Sequence, residues 1–304
     1  MTRHVEEAPI RRGLIFGFLA SLTWGTTFVA GKYGWKYGAD PIFLAFGRYV
    51  VAAILLCALA LALRGPEMRA TVREHSGGLF FLGLTGIFGM GALGFAALRY
   101  TTSINTSILM NANPIFTVLL ATLVGERLSA DKLFGVIAGL IGCVLVVSGG
   151  TTEAFRISPT DVFGCLLSVA SAVCWSLYTV YGKGIVRRHG GLVATTGAMV
   201  VGVALFIVYM GLARTPVTLA PKTLGTILYL GVVPTAIGFL IWYLALATED
   251  ASRLAPLQFT APLCTAVLGW IFLGERMTYV SIAGMGLIFA GIYVASVRAK
   301  AKSA

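Results

Sequence analysis

The sequence predicts an all-α integral membrane protein: ten transmembrane helices, arranged as two inverted-topology five-helix repeats, with both termini cytoplasmic. Three observations carry this expectation. Hydrophobic residues make up 58% of the chain and charged residues only 12%, where soluble domains carry about 25% charged residues. Ten stretches of mostly apolar residues can be marked off, at 13–34, 41–63, 78–98, 104–124, 131–149, 160–184, 191–213, 222–246, 252–273 and 278–298. A helix of about 20 such residues crosses a hydrocarbon core of about 30 Å. Finally, the half-sequence is written twice. Trp24…Gly31-Lys32 returns as Trp175…Gly182-Lys183, shifted by 151, and Leu123–Leu128 is answered by Phe272–Met277, shifted by 149. A duplicated unit with an odd number of spans enters the bilayer the opposite way round the second time.

The repeats are expected at 1–150 and 151–304, joined at the small, polar stretch Gly149-Gly150-Thr151-Thr152. The first span is too long, and too closely followed by others, to be a cleaved leader. Asp40-Pro41 before span 2 and Ser158-Pro159 before span 6 each set a capping side chain ahead of a proline suited to the first helical turn. Gly89–Gly94 in span 3 matches a dinucleotide fingerprint, but without the preceding strand that the motif needs. Span 4 is polar, with Asn105, Thr106, Ser107, Asn111 and Asn113. Pro114 in span 4, Pro234 in span 8 and Pro262 in span 9 predict bends, and Pro114 and Pro262 are repeat equivalents shifted by 148. Glycine and alanine dot the spans, as at Gly13-xxx-Gly17 and Gly135-xxx-Gly139-xx-Gly142, predicting a compact bundle packed through small residues.

The net charge of +11 is topological. With a cytoplasmic N-terminus, the inner loops and tails hold 15 Lys and Arg residues, the outer loops 7, and Arg48 alone lies inside a span. This is the positive-inside bias, so the basic charge gives no reason to expect a nucleic-acid partner. The acidic residues all fall in tails, loops or helix ends, as do His4, His75 and His189. A buried proton-relay carboxylate is therefore not expected. Neither is an intramembrane enzyme, since a Ser-His dyad or metalloprotease has no histidine to use. The five cysteines lie within spans without metal-type spacing. The sequence thus gives no catalytic residues, no metal site and no cofactor.

What remains is a set of neutral, hydrogen-bonding and aromatic side chains. Trp24 and Phe28 share one helix face with Thr27 nearby, and Trp175 and Tyr178 occupy the repeat-equivalent helix. Asn111 in span 4, Trp242 and Tyr243 in span 8 and Gln258 in span 9 complete the neutral hydrogen-bonding side chains, from which the expected substrate-binding set is Trp24, Thr27, Phe28, Asn111, Trp175, Tyr178, Tyr243 and Gln258. The same aromatics also fit a reading as packing residues. Arg48 either snorkels or bonds to carbonyls, or it meets an anionic group of the substrate. Glu126-Arg127 and Glu275-Arg276 are assigned to turn and interface structure.

The paired pattern resembles the EamA-type domain of the drug/metabolite transporter superfamily. The first copy reads Phe95-Ala96-Ala97-Leu98, Pro114, Gly125-Glu126-Arg127-Leu128 and Gly135…Gly139…Gly142; the second reads Tyr243-Leu244-Ala245-Leu246, Pro262, Gly274-Glu275-Arg276-Met277 and Gly284…Gly286…Gly291. The resemblance implies ten helices in two inverted halves, a bacterial cytoplasmic (inner) membrane, and export of small metabolites. Within the family the chain looks most like exporters of aromatic and other neutral amino acids. It departs from its own first copy at Thr248-Glu249-Asp250, where the first copy keeps Tyr100-Thr101-Thr102. No acid occupies span 1, unlike the four-helix multidrug members. The expected activity is facilitative alternating-access export of neutral metabolites, the partners being a small-molecule substrate and the bilayer, and the working state a monomer. Alternatives are efflux of drugs or of sugar phosphates and nucleotide sugars, or a non-transporting membrane scaffold.

Overall fold

A computed structural model describes residues 8–97, 100, 106, 109–148, 161–273 and 278–295. Among the described residues the chain is entirely helical, with no strand. Helix α1 is Ala8–Lys36 and α2 is Pro41–Leu82. Asp40 caps α2 as its sequence position suggests, its carboxylate accepting from the amides of Ile42 at 2.8 Å and Phe43 at 3.2 Å. The equivalent Ser158-Pro159 signal lies outside the described residues. α2 is interrupted by non-helical backbone at Arg64 and His75. The segment between the second and third apolar stretches is therefore a short helical arm, where a loop would be expected. Pro66 falls just after the first break, where its missing N–H is tolerated.

A π-helical stretch, Gly83–Gly89, leads into α3 (Met90–Ala97). The second half repeats this: α8 (Pro221–Leu230) runs into a π-helical stretch, Gly231–Ile237, and then α9 (Gly238–Thr248). Proline explains the widened turn only in the second copy, at Pro234. At the equivalent Gly86 a Cβ would fall inside the ring of Tyr178, so absence of a side chain there seats an aromatic. The remaining helices are α4 (Asn113–Leu123), α5 (Ala130–Ser148), α6 (Asp161–His189), α7 (Gly191–Ala213), α10 (Ala251–Leu254), α11 (Thr260–Leu273) and α12 (Tyr279–Tyr293). A 3₁₀ segment, Ala255–Phe259, joins α10 to α11. Pro114 stands in the first turn of α4, after a turn at Asn111 and Ala112. The breaks before α4 and α11 therefore fall at equivalent positions of the two copies.

Among the described residues, five helical runs are long and apolar enough to cross a membrane: Arg12–Gly31, Ile42–Ala97, Val162–His189, Gly191–Ala213 and Pro221–Thr248. Contacts between the halves follow the duplication. Gly135 packs on the backbone of Gly291, and Gly142 on that of Gly284. Numbers rise along α5 as they fall along α12, so the helices are antiparallel. Gly135 and Gly284 are repeat equivalents, as are Gly142 and Gly291, so each contact is the mirror of the other. A second mirrored pair links α1 to α11 and α4 to α6. Thr265 donates to the Gly25 carbonyl at 2.7 Å, and the equivalent Thr117 donates to Ser176 at 3.1 Å. His75 meets His189 and Glu126 meets Lys183 at one end of the bundle, whereas Lys222 sits 3.8 Å over the Tyr37 ring at the other.

Candidate functional site

The site begins with spacing on three helices. On α6, Trp175, Tyr178, Gly182 and Lys183 recur at the interval that keeps side chains on one face. On α9, Phe239, Trp242 and Tyr243 do the same, and α1 contributes Trp24. These faces meet between the halves. Trp24 lies edge-on to Trp175 with ring centroids 5.1 Å apart, and 5.2 Å from Trp242. Phe239 touches Trp24, Trp175 and Tyr178, and Tyr178 stacks on Tyr243 at 4.9 Å. Offset and edge-on pairs at such distances are the favourable geometries of aromatic quadrupoles. Glycines make the approach possible: a Cβ at Gly238 would come within 2.8 Å of the Trp24 indole nitrogen, and one at Gly182 within 2.5 Å of the Tyr243 hydroxyl. The rings fill the space between the halves, with Trp242, Tyr178 and Tyr243 fully buried.

Polar groups inside this cluster are under-satisfied. The Trp175 indole N–H donates to the Gln258 carbonyl oxygen at 2.6 Å. That bond orients the amide, because only its oxygen accepts, and leaves the Gln258 NH₂ buried without a partner among the described residues. The indole N–H groups of Trp24 and Trp242 are likewise buried and unpartnered. An unmade hydrogen bond of this kind costs about 1–3 kcal/mol. Three donors around one aromatic cluster make a place where an acceptor, such as a carboxylate, is wanted.

The structure thus brings together Trp24, Trp175, Tyr178, Tyr243 and Gln258 from the sequence-derived set. Thr27 lies one turn beyond Trp24 on α1, half-buried, and Asn111 lies half-buried in the turn before α4. The side chain of Phe28 is outside the described residues. Phe239 is a member that sequence reasoning left out, although its spacing with Trp242 and Tyr243 marks one helix face. Arg48, half-buried on α2, donates to the Tyr49 hydroxyl at 2.9 Å and lies 4.6 Å over its ring. The partner is a side-chain hydroxyl where backbone carbonyls were expected, and Tyr49 in turn packs on Phe239 and Phe206.

Eight residues further along α6, about 12 Å at the helical rise, Lys183 closes one end of the bundle. Its ammonium donates to Glu126 at 2.7 Å and to Asp250, with the side chains of Lys183 and Glu126 only 9% and 7% exposed. Glu126 does more than pair. Its two oxygens accept from the amides of Ala251 and Ser252, each at 3.0 Å, and so cap α10 of the other half. Lys132 adds bonds to the Arg127 carbonyl at 3.0 Å and the Ser252 hydroxyl at 2.7 Å. Burial works to raise the Asp250 pKa, but the hydrogen bond and charge of Lys183, with Lys132 and Arg187, outweigh it and hold the carboxyl below its ordinary value. Glu126 is therefore interface structure; Glu275-Arg276 lies outside the described residues. The departure of the second copy at Glu249-Asp250 supplies the acid that Lys183 needs. Beside this network opens a vestibule of about 710 Å³, lined by Glu126, Arg127, Lys132, Lys183, Arg187 and Asp250 among others.

Known proteins bear on this arrangement. The pattern of the EamA-like transporter family matches twice, over residues 11–148 and 162–297. An uncharacterized transporter of Archaeoglobus fulgidus is 32% identical over 286 residues, covering 92% of this chain and 96% of that protein. A Salmonella typhimurium protein named a probable amino-acid metabolite efflux pump is 29% identical over 293 residues, 91% and 93% of the two chains. A crystal structure superposes with a TM-score of 0.85 over 96% of this chain and 99% of its own, at 24% identity, which bears on fold alone. Two copies of one family pattern cover most of the sequence, and the chain belongs to the EamA-like transporter family: it is a multi-pass membrane transporter of the drug/metabolite superfamily, not an enzyme.

Proposed function

We propose that this transporter exports neutral small metabolites, amino acids foremost, by alternating access between two inverted five-helix halves in a bacterial cytoplasmic membrane, with both termini inside. The observation that carries the proposal is the aromatic cluster between the halves, with its three buried N–H donors that have no partner among the described residues. An amino-acid carboxylate would satisfy donors that the protein leaves unmade, while the rings enclose its side chain. The antiparallel α5–α12 contact, mirrored between repeat equivalents, supports the inverted arrangement. So does the meeting at one end of the segments assigned to inner loops. The Salmonella relative's name points towards the same substrate class.

In this conformation the network of Lys183, Glu126 and Asp250 closes the inner end, and the vestibule beyond it is where a cytoplasmic substrate arrives. Opening requires Lys183 to leave its acids, and a zwitterion offers both charges needed in exchange. With no acidic side chain lining the aromatic cluster among the described residues, transport runs down the substrate gradient. The vestibule's Arg127, Lys132, Lys183 and Arg187 favour sugar phosphates as the second reading. Counterflow of radiolabelled threonine, methionine, phenylalanine and a nucleotide sugar into proteoliposomes, with and without a pH gradient, tests the proposal. Amino-acid flux indifferent to the gradient is expected. Flux driven by the gradient overturns the facilitative mechanism, and flux of the nucleotide sugar alone overturns the substrate class.

A further inference from the structure

Near the charged network, at the same end of the bundle, three metal-ligating side chains that the transport reading does not use come together. Glu74 and His75 stand on the helical arm of the first half, and His189 ends α6 in the second. A carboxylate oxygen and one nitrogen from each imidazole lie within 4.8 Å of one another. The two rings meet edge-on, centroids 4.8 Å apart. Nε2 of His189 is buried with no hydrogen-bond partner among the described residues. Glu74 is exposed and both histidines are half-buried, so an ion has a path in from water.

From this geometry we propose that Glu74, His75 and His189 form a binding site for a divalent transition-metal ion of the Zn²⁺ class. Two imidazoles and a carboxylate are a donor set that suits such ions, leaving a fourth position to water. Imidazole donors disfavour Mg²⁺ and Ca²⁺, which take oxygen ligands. Bonds of about 2.0–2.2 Å require neighbouring ligand atoms about 3.3 Å apart, so the trio must close by about 1.5 Å. The non-helical backbone at His75, φ −130° and ψ 30°, is a joint at which the arm can make that adjustment. Arg73 and Arg188, next in sequence to two of the ligands, are exposed, so water screens their charge from the ion.

The site ties the first half to the second at the end that Lys183 closes. A bound ion therefore holds that end shut and slows flux; this consequence, unlike the binding itself, rests on the alternating-access reading. The experiment uses full-length protein in detergent, free of any oligohistidine tag. Zn²⁺ is expected to raise its unfolding temperature in a concentration-dependent way that Mg²⁺ does not reproduce. Co²⁺ is expected to give the visible absorption of a nitrogen- and oxygen-ligated ion. Glu74→Gln, at an exposed position, and His75→Gln are each expected to weaken Zn²⁺ at least tenfold while leaving metal-free counterflow unchanged. An equal Zn²⁺ response in the His75→Gln/His189→Gln double variant, or no response in the native chain, overturns the site. Binding that is lost in the variants but leaves flux untouched would keep the site and overturn only the clamp.

Discussion

Trp175 both packs and bonds, and a single substitution separates the two roles. Its ring contacts Trp24, Phe239 and Tyr178, while its N–H holds the Gln258 amide in place. Trp175→Phe keeps most of the ring contact and deletes the bond, which is worth about 0.5–1.5 kcal/mol. Protein yield is expected to stay near native, and the KM for counterflow to rise about three- to tenfold. An unchanged KM would make the cluster packing alone. Asp250 gives a different residue-scale test. Its folded pKa lies below the unfolded value of 3.8, so the stability it contributes is complete above that value. It disappears only as pH falls through the lowered folded pKa. The unfolding temperatures of native protein and Asp250→Asn are therefore expected to differ at pH 7 and equally at pH 5, converging only below about pH 4. Convergence already at pH 6 would mean another group carries the effect.

At the scale of elements, the glycine density predicts a compact bundle, and the structure adds where two helices meet most closely, Gly135 and Gly142 on α5 lying against Gly291 and Gly284 on α12. A Cβ on Gly142 would stand 2.6 Å from the Gly284 carbonyl, a backbone atom that cannot swing aside, whereas one on Gly286 meets nothing within 4 Å. Gly142→Val is expected to lower the unfolding temperature in detergent by several degrees, at the upper end of the 1–3 kcal/mol typical of overpacking. Gly286→Ala should leave it unchanged. Equal effects would mean that α5 and α12 do not pack at this seam. The helices themselves were legible because apolar runs and caps are local signals, as Asp40 shows. The π-helical stretch at Gly83–Gly89 was not, because no proline marks it and the Tyr178 ring that packs against Gly86 lies far away in sequence. The polar composition after Arg64 points to a loop, yet the segment is helical, because composition reports exposure as much as backbone shape. In the candidate site, the aromatic spacing on α6 marks the face on which Trp175 and Tyr178 join the ring cluster. The pairing of Lys183 joins it to partners 57 and 67 positions away, which no local pattern reveals.

For the whole molecule, the question is whether the end held by Lys183, Glu126 and Asp250 must open for transport. Removing one member of a buried pair commonly costs 3–5 kcal/mol, so breaking the network by mutation confuses gating with folding. Lys132 and Ser252 offer a cleaner test. They join the halves at 2.7 Å beside the network, yet neither takes part in the Lys183 pairs. In a Lys132→Cys/Ser252→Cys chain the two thiols are separated by roughly the reach of a lysine side chain, a span that a short, reducible bifunctional thiol reagent bridges. If the halves rock apart at this end, cross-linking should reduce amino-acid counterflow to the protein-free background, and reduction should restore it. The five native cysteines are free, so the unsubstituted chain treated identically is the control, and its flux should be insensitive. Flux that persists through a complete cross-link would show that substrate passes without separating α10 from the start of α5. The buried charges would then be a permanent brace, and any access to the aromatic cluster would have to come from elsewhere in the bundle.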